Sequence, residues 1–222
     1  MFLGACAVVG ASLALDAQRS NDRNRDEWQK VPEIFTAMGI ASGSVVADVG
    51  AGGGFFTTRL ARHVGVGGRV YAVDVDAQNV ERLKRLAGDD GLMQVSVVHG
   101  TTADPRLPDS ALDAALVVNA YHEFTAHQSM LAAILRALKP GGHLVIVEPL
   151  ASSRRNESRE RQERSHEIGP QYVRDDLEQA GFEIVSLIDP LTKRPEGDEM
   201  WLVVARKSGG SGGPGRAGRS GR

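Results

Sequence analysis

Three clusters of residues have the types and spacing for chemistry. In the first, Asp48-Val49-Gly50-Ala51-Gly52-Gly53-Gly54-Phe55-Phe56, a β-branched run ends in a carboxylate and passes through a glycine-rich turn into a helical pattern. Gly50, Gly52 and Gly54 permit positive φ and carry no Cβ, so a ligand can lie against the turn and the amides that open the helix. A dinucleotide fingerprint G-x-G-x-x-G begun at Gly50 needs glycine where Phe55 stands, and one begun at Gly52 needs it at Thr57. Both registers fail. Asp48 at the strand end would repel a pyrophosphate and suits a cationic ligand. In the second cluster, Tyr71-Ala72-Val73-Asp74-Val75-Asp76, Asp74 lies 24 residues beyond Gly50. A carboxylate there accepts both hydroxyls of a ribose in doubly wound sheets, whereas Asp76 is placed to cap the next helix.

The third cluster is Asn119-Ala120-Tyr121-His122-Glu123-Phe124. An imidazole, with an unperturbed pKa of about 6.5, is suited to take a proton from a hydroxyl or an acidic carbon. His122 is the candidate base, with Glu123 orienting it or meeting a substrate; the competing reading leaves His122 a cap or hydrogen-bonded group of a polar loop. Tyr121, Glu148 and His166 are expected to border an acceptor. For Glu148, before Pro149, plain strand-end exposure is an equal alternative.

These clusters need a scaffold that brings strand ends together. Short β-branched runs at residues 45–49, 69–75, 94–99, 113–119, 143–148, 183–188 and 200–205 predict seven strands. Helical spacing at 55–64, 77–86, 129–138 and 170–180 alternates with them, the pattern of βαβ units around a parallel sheet with helices on both faces. The last two strands are separated only by residues 189–199, too short a connection for a parallel return, and should pair antiparallel. Trp28, Val31, Ile34, Phe35 and Met38 form one helical stripe, expected to cover the sheet edge or the ligand site.

With these motifs in this order the chain resembles the class I S-adenosylmethionine-dependent methyltransferases. D-V-G-A-G-G-G-F is similar to their first motif, A-V-D-V-D to their ribose-binding acidic motif, and L-K-P-G-G-H-L-V-I-V-E-P to their late strand motif. The resemblance runs from about Asp26 to Lys207 and implies a seven-stranded, Rossmann-like, mostly parallel sheet with its last strand reversed. It implies S-adenosylmethionine as cofactor and S-adenosylhomocysteine as product, with Asp48, Gly50, Ala51, Gly52 and Gly54 around the methionine part. It further implies Asp74 and Val75 at the ribose and Asn119 near the amino-acid end. The third motif departs from the family's G-D-A: the chain reads Gly100-Thr101-Thr102-Ala103-Asp104, so Thr101, Thr102, a backbone carbonyl or Asp104 would serve the adenine. No metal is expected. The activity implied is methyl transfer to an O, N or C atom of a small molecule, the alternative being a non-catalytic protein that binds the same cofactor on a repurposed fold.

Composition narrows the alternatives. The 222 residues carry 26 Lys plus Arg against 28 Asp plus Glu, 41% apolar residues and one cysteine, Cys6. A single domain with extensions fits that length, and the near-neutral charge gives no basic face for nucleic acid. One cysteine excludes an internal disulfide and a cysteine zinc site. No D-P-P-Y-type tetrapeptide stands at 119–122, which argues against base-amine methylation of DNA. Residues 1–21 form an apolar leader and linker, too short to span a bilayer of about 20 helical residues. The leader lacks the positive n-region of a signal peptide, so the cofactor motifs favour the cytoplasm, with export as the alternative. The domain is expected over 22–207, and 208–222 as a disordered Gly/Ser/Arg tail.

Overall fold

The computed structural model describes residues 24–195 and 197–209. The leader expected at 1–21 and all but the first two residues of the expected tail lie outside them. A helical stretch at 24–28 precedes α1 (Val31–Met38). Then follow β1 (Val45–Val49), α2 (Phe55–Val64), β2 (Arg69–Asp74), α3 (Ala77–Asp89), β3 (Val95–His99) and β4 (Leu112–Val118). After a 3-10 turn at Tyr121–Glu123 come α4 (His127–Ala137), β5 (Leu138–Leu150), α5 (Arg159–Arg164), α6 (Pro170–Gln179), β6 (Phe182–Lys193) and β7 (Glu199–Lys207).

The strands form one seven-stranded sheet in the order β3-β2-β1-β4-β5-β7-β6. From β3 to β5 every pairing is parallel, and β7 is antiparallel to both β5 and β6. The reversed last strand follows from the short 189–199 connection, as expected. β6 runs five residues beyond the expected 188, pairing as far as Lys193 with Glu199 after a register shift.

Strands buried on both faces read as continuous apolar runs, and the central ones do. Ala115, Val117, Ile146 and Val203 face Leu131, Ile134, Val173 and Leu177 of α4 and α6. Ala114, Leu116, Val145 and Leu202, one residue out of step, pack with Ile34, Met38, Leu60 and Val64 of α1 and α2. Each such large side chain contributes about 1.5–3 kcal/mol through burial. The stripe of α1 covers the face of β4 and β5 rather than the sheet edge, and His143 Nδ1 lies 3.2 Å from the Met38 carbonyl that ends it. Trp28 sits on the preceding stretch and lines the ligand cleft. No helix among the described residues is long and apolar enough to cross a membrane.

Candidate functional site

The glycine turn is built by several separate demands. Gly50, Gly52 and Gly54 all have positive φ (79°, 51° and 82°). A Cβ on Gly50 would stand 2.5 Å from the Cβ of Ala120, and one on Gly54 would stand 2.4 Å from Leu86 Cδ2. Those two glycines therefore serve packing within the protein. Only at Gly52 does the missing Cβ open onto free space. The loop amides expected to face a ligand have partners in the protein: Gly50 and Ala51 N–H both donate to the Val73 carbonyl at 2.9 Å, and Gly52 N–H donates to Asp74 Oδ2 at 2.8 Å. The turn thus offers shape, while most of its amides are engaged by β2.

Parallel pairing of β1 with β2 brings the two carboxylates to the same end of the sheet. Asp48 is buried and accepts a 2.6 Å hydrogen bond from the Thr57 hydroxyl. Burial pushes its carboxyl up to about 6; the bonds from Thr57 oppose the rise and the nearby charge of Asp74 adds to it. Asp74, also buried, accepts through Oδ1 from Asp76 N–H and Asn79 Nδ2. Asp76 caps α3, accepting from Gln78 and Asn79 N–H.

Two cavities meet at this turn. One, of about 580 Å³, is bordered by Asp48, Gly50 to Phe56, Trp28, Arg194 and Met200. The other, of about 410 Å³, is bordered by Asp74, Val75, Thr101, Thr102, Glu123 and Phe124. Gly50, Gly52 and Asn119 line both, so the two form one cleft across the C-terminal ends of β1, β2 and β4, where open α/β sheets bind ligands. Asn119 holds a left-handed conformation (φ 53°) as β4 leaves the sheet. Asp104 lines neither cavity, its Oδ1 accepting from Arg106 N–H. The Thr101 hydroxyl accepts from Asp104 N–H at 2.9 Å, so its oxygen is used to close its own turn.

The 119–124 loop differs most from expectation. Glu148 is fully buried: Oε1 accepts from Ala120 and Tyr121 N–H, each at 2.7 Å, and Oε2 lies 2.7 Å from His122 Nδ1. It is neither a substrate contact nor an exposed strand end, because its carboxylate is spent on pinning the loop. Glu148, rather than Glu123, orients the imidazole. Tyr121 is also withdrawn from any acceptor, being fully buried with its hydroxyl donating to Asp176 Oδ2 at 2.8 Å. His122 is buried and lines neither cavity; Glu123, exposed, borders the second. Burial works against the imidazolium, but the hydrogen bond and charge of Glu148, aided by Glu123, outweigh it and raise the His122 pKa above its ordinary value. His166 joins this corner: its ring stands edge-on to that of His122 with centroids 5.6 Å apart.

Sequence spacing gave no sign of Glu148 beneath His122, although the pairing of Val118 with Val147 sets those strand ends side by side. Arginines at 154–164, between β5 and α6, are tied to acidic partners. Arg155 bonds Asp189 and Glu199, and Arg159 forks onto Asp176.

Comparison with known proteins bears on this cleft. Residues 47–146 match the family model for a methyltransferase domain. The ubiquinone/menaquinone biosynthesis C-methyltransferase of Pseudomonas paraeruginosa is 30% identical over 145 residues, 64% of this chain and 57% of that protein. The chain thus spans under two thirds of that relative's length. A SAM dependent methyltransferase from Aquifex aeolicus superposes with a TM-score of 0.68 at 23% identity, over 84% of this chain and 97% of that one. The [4+2]-cyclase SpnF gives 0.70 at 21% identity, over 87% and 84%. At these identities the structural likeness is one of fold. The family-model match takes in under half of the chain, running from within β1 into β5, the strands whose ends build the cleft.

Proposed function

We propose that the protein moves a methyl group from S-adenosylmethionine to an O, N or C atom of a small-molecule acceptor. The observation that carries this is the cleft continuous past Gly50, Gly52 and Asn119, with a buried carboxylate bordering each half. The residues fit the cofactor. Asp48 suits the cationic methionine end, Asp74 suits a ribose diol, and the free space at Gly52 lets the ligand cross between them. When bound, the sulfonium supplies an electrophilic methyl group: the S–CH3 bond breaks as an acceptor lone pair forms the new bond, leaving S-adenosylhomocysteine.

The chain's own part is alignment and exclusion of water, with the acceptor at the Glu123 end of the second cavity. Where the acceptor atom carries a proton, the His122 corner receives it. Glu148 holds Nδ1 as the protonated nitrogen, which leaves the lone pair on Nε2, 3.8 Å from Glu123 Oε1. The cleft's size and the near-neutral chain favour a small molecule over nucleic acid.

Calorimetric titration of the full chain with S-adenosylhomocysteine, with NAD as control, tests the cofactor. Binding of the first and not the second is expected. An acceptor panel of phenols, quinols, amines and carboxylates with methyl-labelled S-adenosylmethionine then tests transfer. Tight cofactor binding with no labelled product would make the chain a non-catalytic binder, and absence of cofactor binding would overturn both readings.

A further inference from the structure

Three potential ligand atoms converge beside the acceptor end of the cleft. His122 Nε2 lies 3.8 Å from Glu123 Oε1, His166 Nδ1 lies 3.9 Å from the same oxygen, and one atom from each residue falls within 4.8 Å of the others. Two imidazoles and one carboxylate are a donor set for borderline divalent ions, Zn²⁺ or Fe²⁺, and leave further positions open.

The cluster has the support such a site needs. Metal-binding histidines generally donate the second ring N–H to a carboxylate, which fixes the ring and presents the other nitrogen's lone pair. His122 has that arrangement, with Nδ1 2.7 Å from Glu148 Oε2 and Glu148 fully buried and anchored on two backbone amides. One ligand is thus rigid. The other two are adaptable, since the side chains of Glu123 and His166 are 67% and 77% exposed. Metal–ligand bonds of about 2.1 Å put neighbouring ligand atoms about 3–3.5 Å apart, so an approach of about 1 Å by those two side chains closes the shell.

We propose that His122, Glu123 and His166 form a divalent transition-metal site at the mouth of the cleft, oriented by Glu148. No spacing motif marks such a site, since His166 lies 44 residues beyond His122. Glu123 borders the second cavity, so an ion on its oxygen abuts acceptor space. This part rests on the proposed function: an oxygen of the acceptor, a hydroxyl or carboxylate, takes an open coordination position, and a bound hydroxyl loses its proton to solvent more readily. His122 then acts as a ligand and the ion takes over the acid–base role.

The test is calorimetric titration of the full chain with zinc chloride, with S-adenosylhomocysteine binding measured on the same preparations. The chain holds six histidines, so the assignment depends on variants. One equivalent of Zn²⁺ should bind saturably, at least tenfold more weakly in His166→Ala and in Glu123→Ala. Glu148→Gln should weaken it about 10–100-fold, the usual effect of losing such an outer partner. His166 is exposed, and retained S-adenosylhomocysteine binding would show that its variant is folded. Absence of saturable Zn²⁺ binding, or binding unchanged in His166→Ala, overturns the site. If the wild-type chain binds Zn²⁺ but not S-adenosylhomocysteine, the metal site stands and the transfer reading falls.

Discussion

The amide of Gly52 donates to Asp74 Oδ2 at 2.8 Å, so the glycine turn after β1 and the carboxylate that ends β2 brace one another across the floor of the cleft. Oδ1 of the same carboxylate is held by Asp76 N–H and Asn79 Nδ2. Asp74 is therefore positioned before any ligand arrives, and little side-chain freedom remains to be lost on binding.

Asp74→Ala should weaken S-adenosylhomocysteine binding at least tenfold, corresponding to about 1.5–3 kcal/mol for a charge-assisted partner. Calorimetry reads this directly. Unchanged affinity would show that the ribose lies elsewhere.

The glycines should separate by assay. Gly50→Ala meets the Ala120 Cβ at 2.5 Å and should destabilise the fold by about 2–4 kcal/mol, combining a left-handed penalty with overpacking. Gly52→Ala enters open space and should cost only about 1–2 kcal/mol in stability while reducing cofactor affinity more strongly. Urea denaturation and ligand titration on both variants check the contrast, and equal stabilities would refute it.

Asp48 sets a pH dependence. Its folded pKa of about 6 exceeds the ordinary 3.8, so the folded state takes up the proton first as pH falls. The stability this contributes is fully present below about pH 4 and is lost as pH rises through about 6, with an upper bound of roughly 3 kcal/mol. Asp48→Asn should therefore be more stable than the parent at pH 8, and the advantage should vanish near pH 4. Its affinity for the cationic cofactor should fall at pH 8, and fall less near pH 4, where the parent carboxyl is itself protonated. Chemical denaturation at both pH values is the check; an advantage that grows on acidification would reverse the assignment.

Glu148→Ala removes the acceptor of two backbone amides and of His122 in a fully buried place, at a cost of about 2–5 kcal/mol. Glu148→Gln keeps an oxygen for the two amides and should lose clearly less. A thermal melt that ranks the two the other way would mean that the loop is held by something else.

Legibility in the sequence followed locality. Strands appear as β-branched runs because both sheet faces are covered, and Asp48, Asp74 and Asn119 could be placed because a strand end fixes where its next residue emerges. The place of Tyr121 is not local in origin: a 3-10 turn folds its ring under the loop toward Asp176, 55 residues on. The pairing of His122 with Glu148 depends on β4 and β5 being neighbours in register, and the approach of His166 to Glu123 depends on the path after α5, neither of which a short-range pattern encodes. Gly50 and Gly54, which serve packing, look the same in sequence as a ligand-facing glycine, because a missing Cβ does not say what fills its place.

Trp28 and Gln29 border the first cavity together with Gly50 to Phe56, although they precede the segment matched by the family model. A ligand that fills this cavity touches both the sheet and this early stretch. By mass action, occupancy at about 100 times the dissociation constant adds about 2.7 kcal/mol to the state in which the two are docked. The stretch before α1 and the cofactor thereby report on each other: cleavage near residue 28 should slow as the cleft is filled, and an N-terminal truncation past it should raise the dissociation constant without altering any carboxylate.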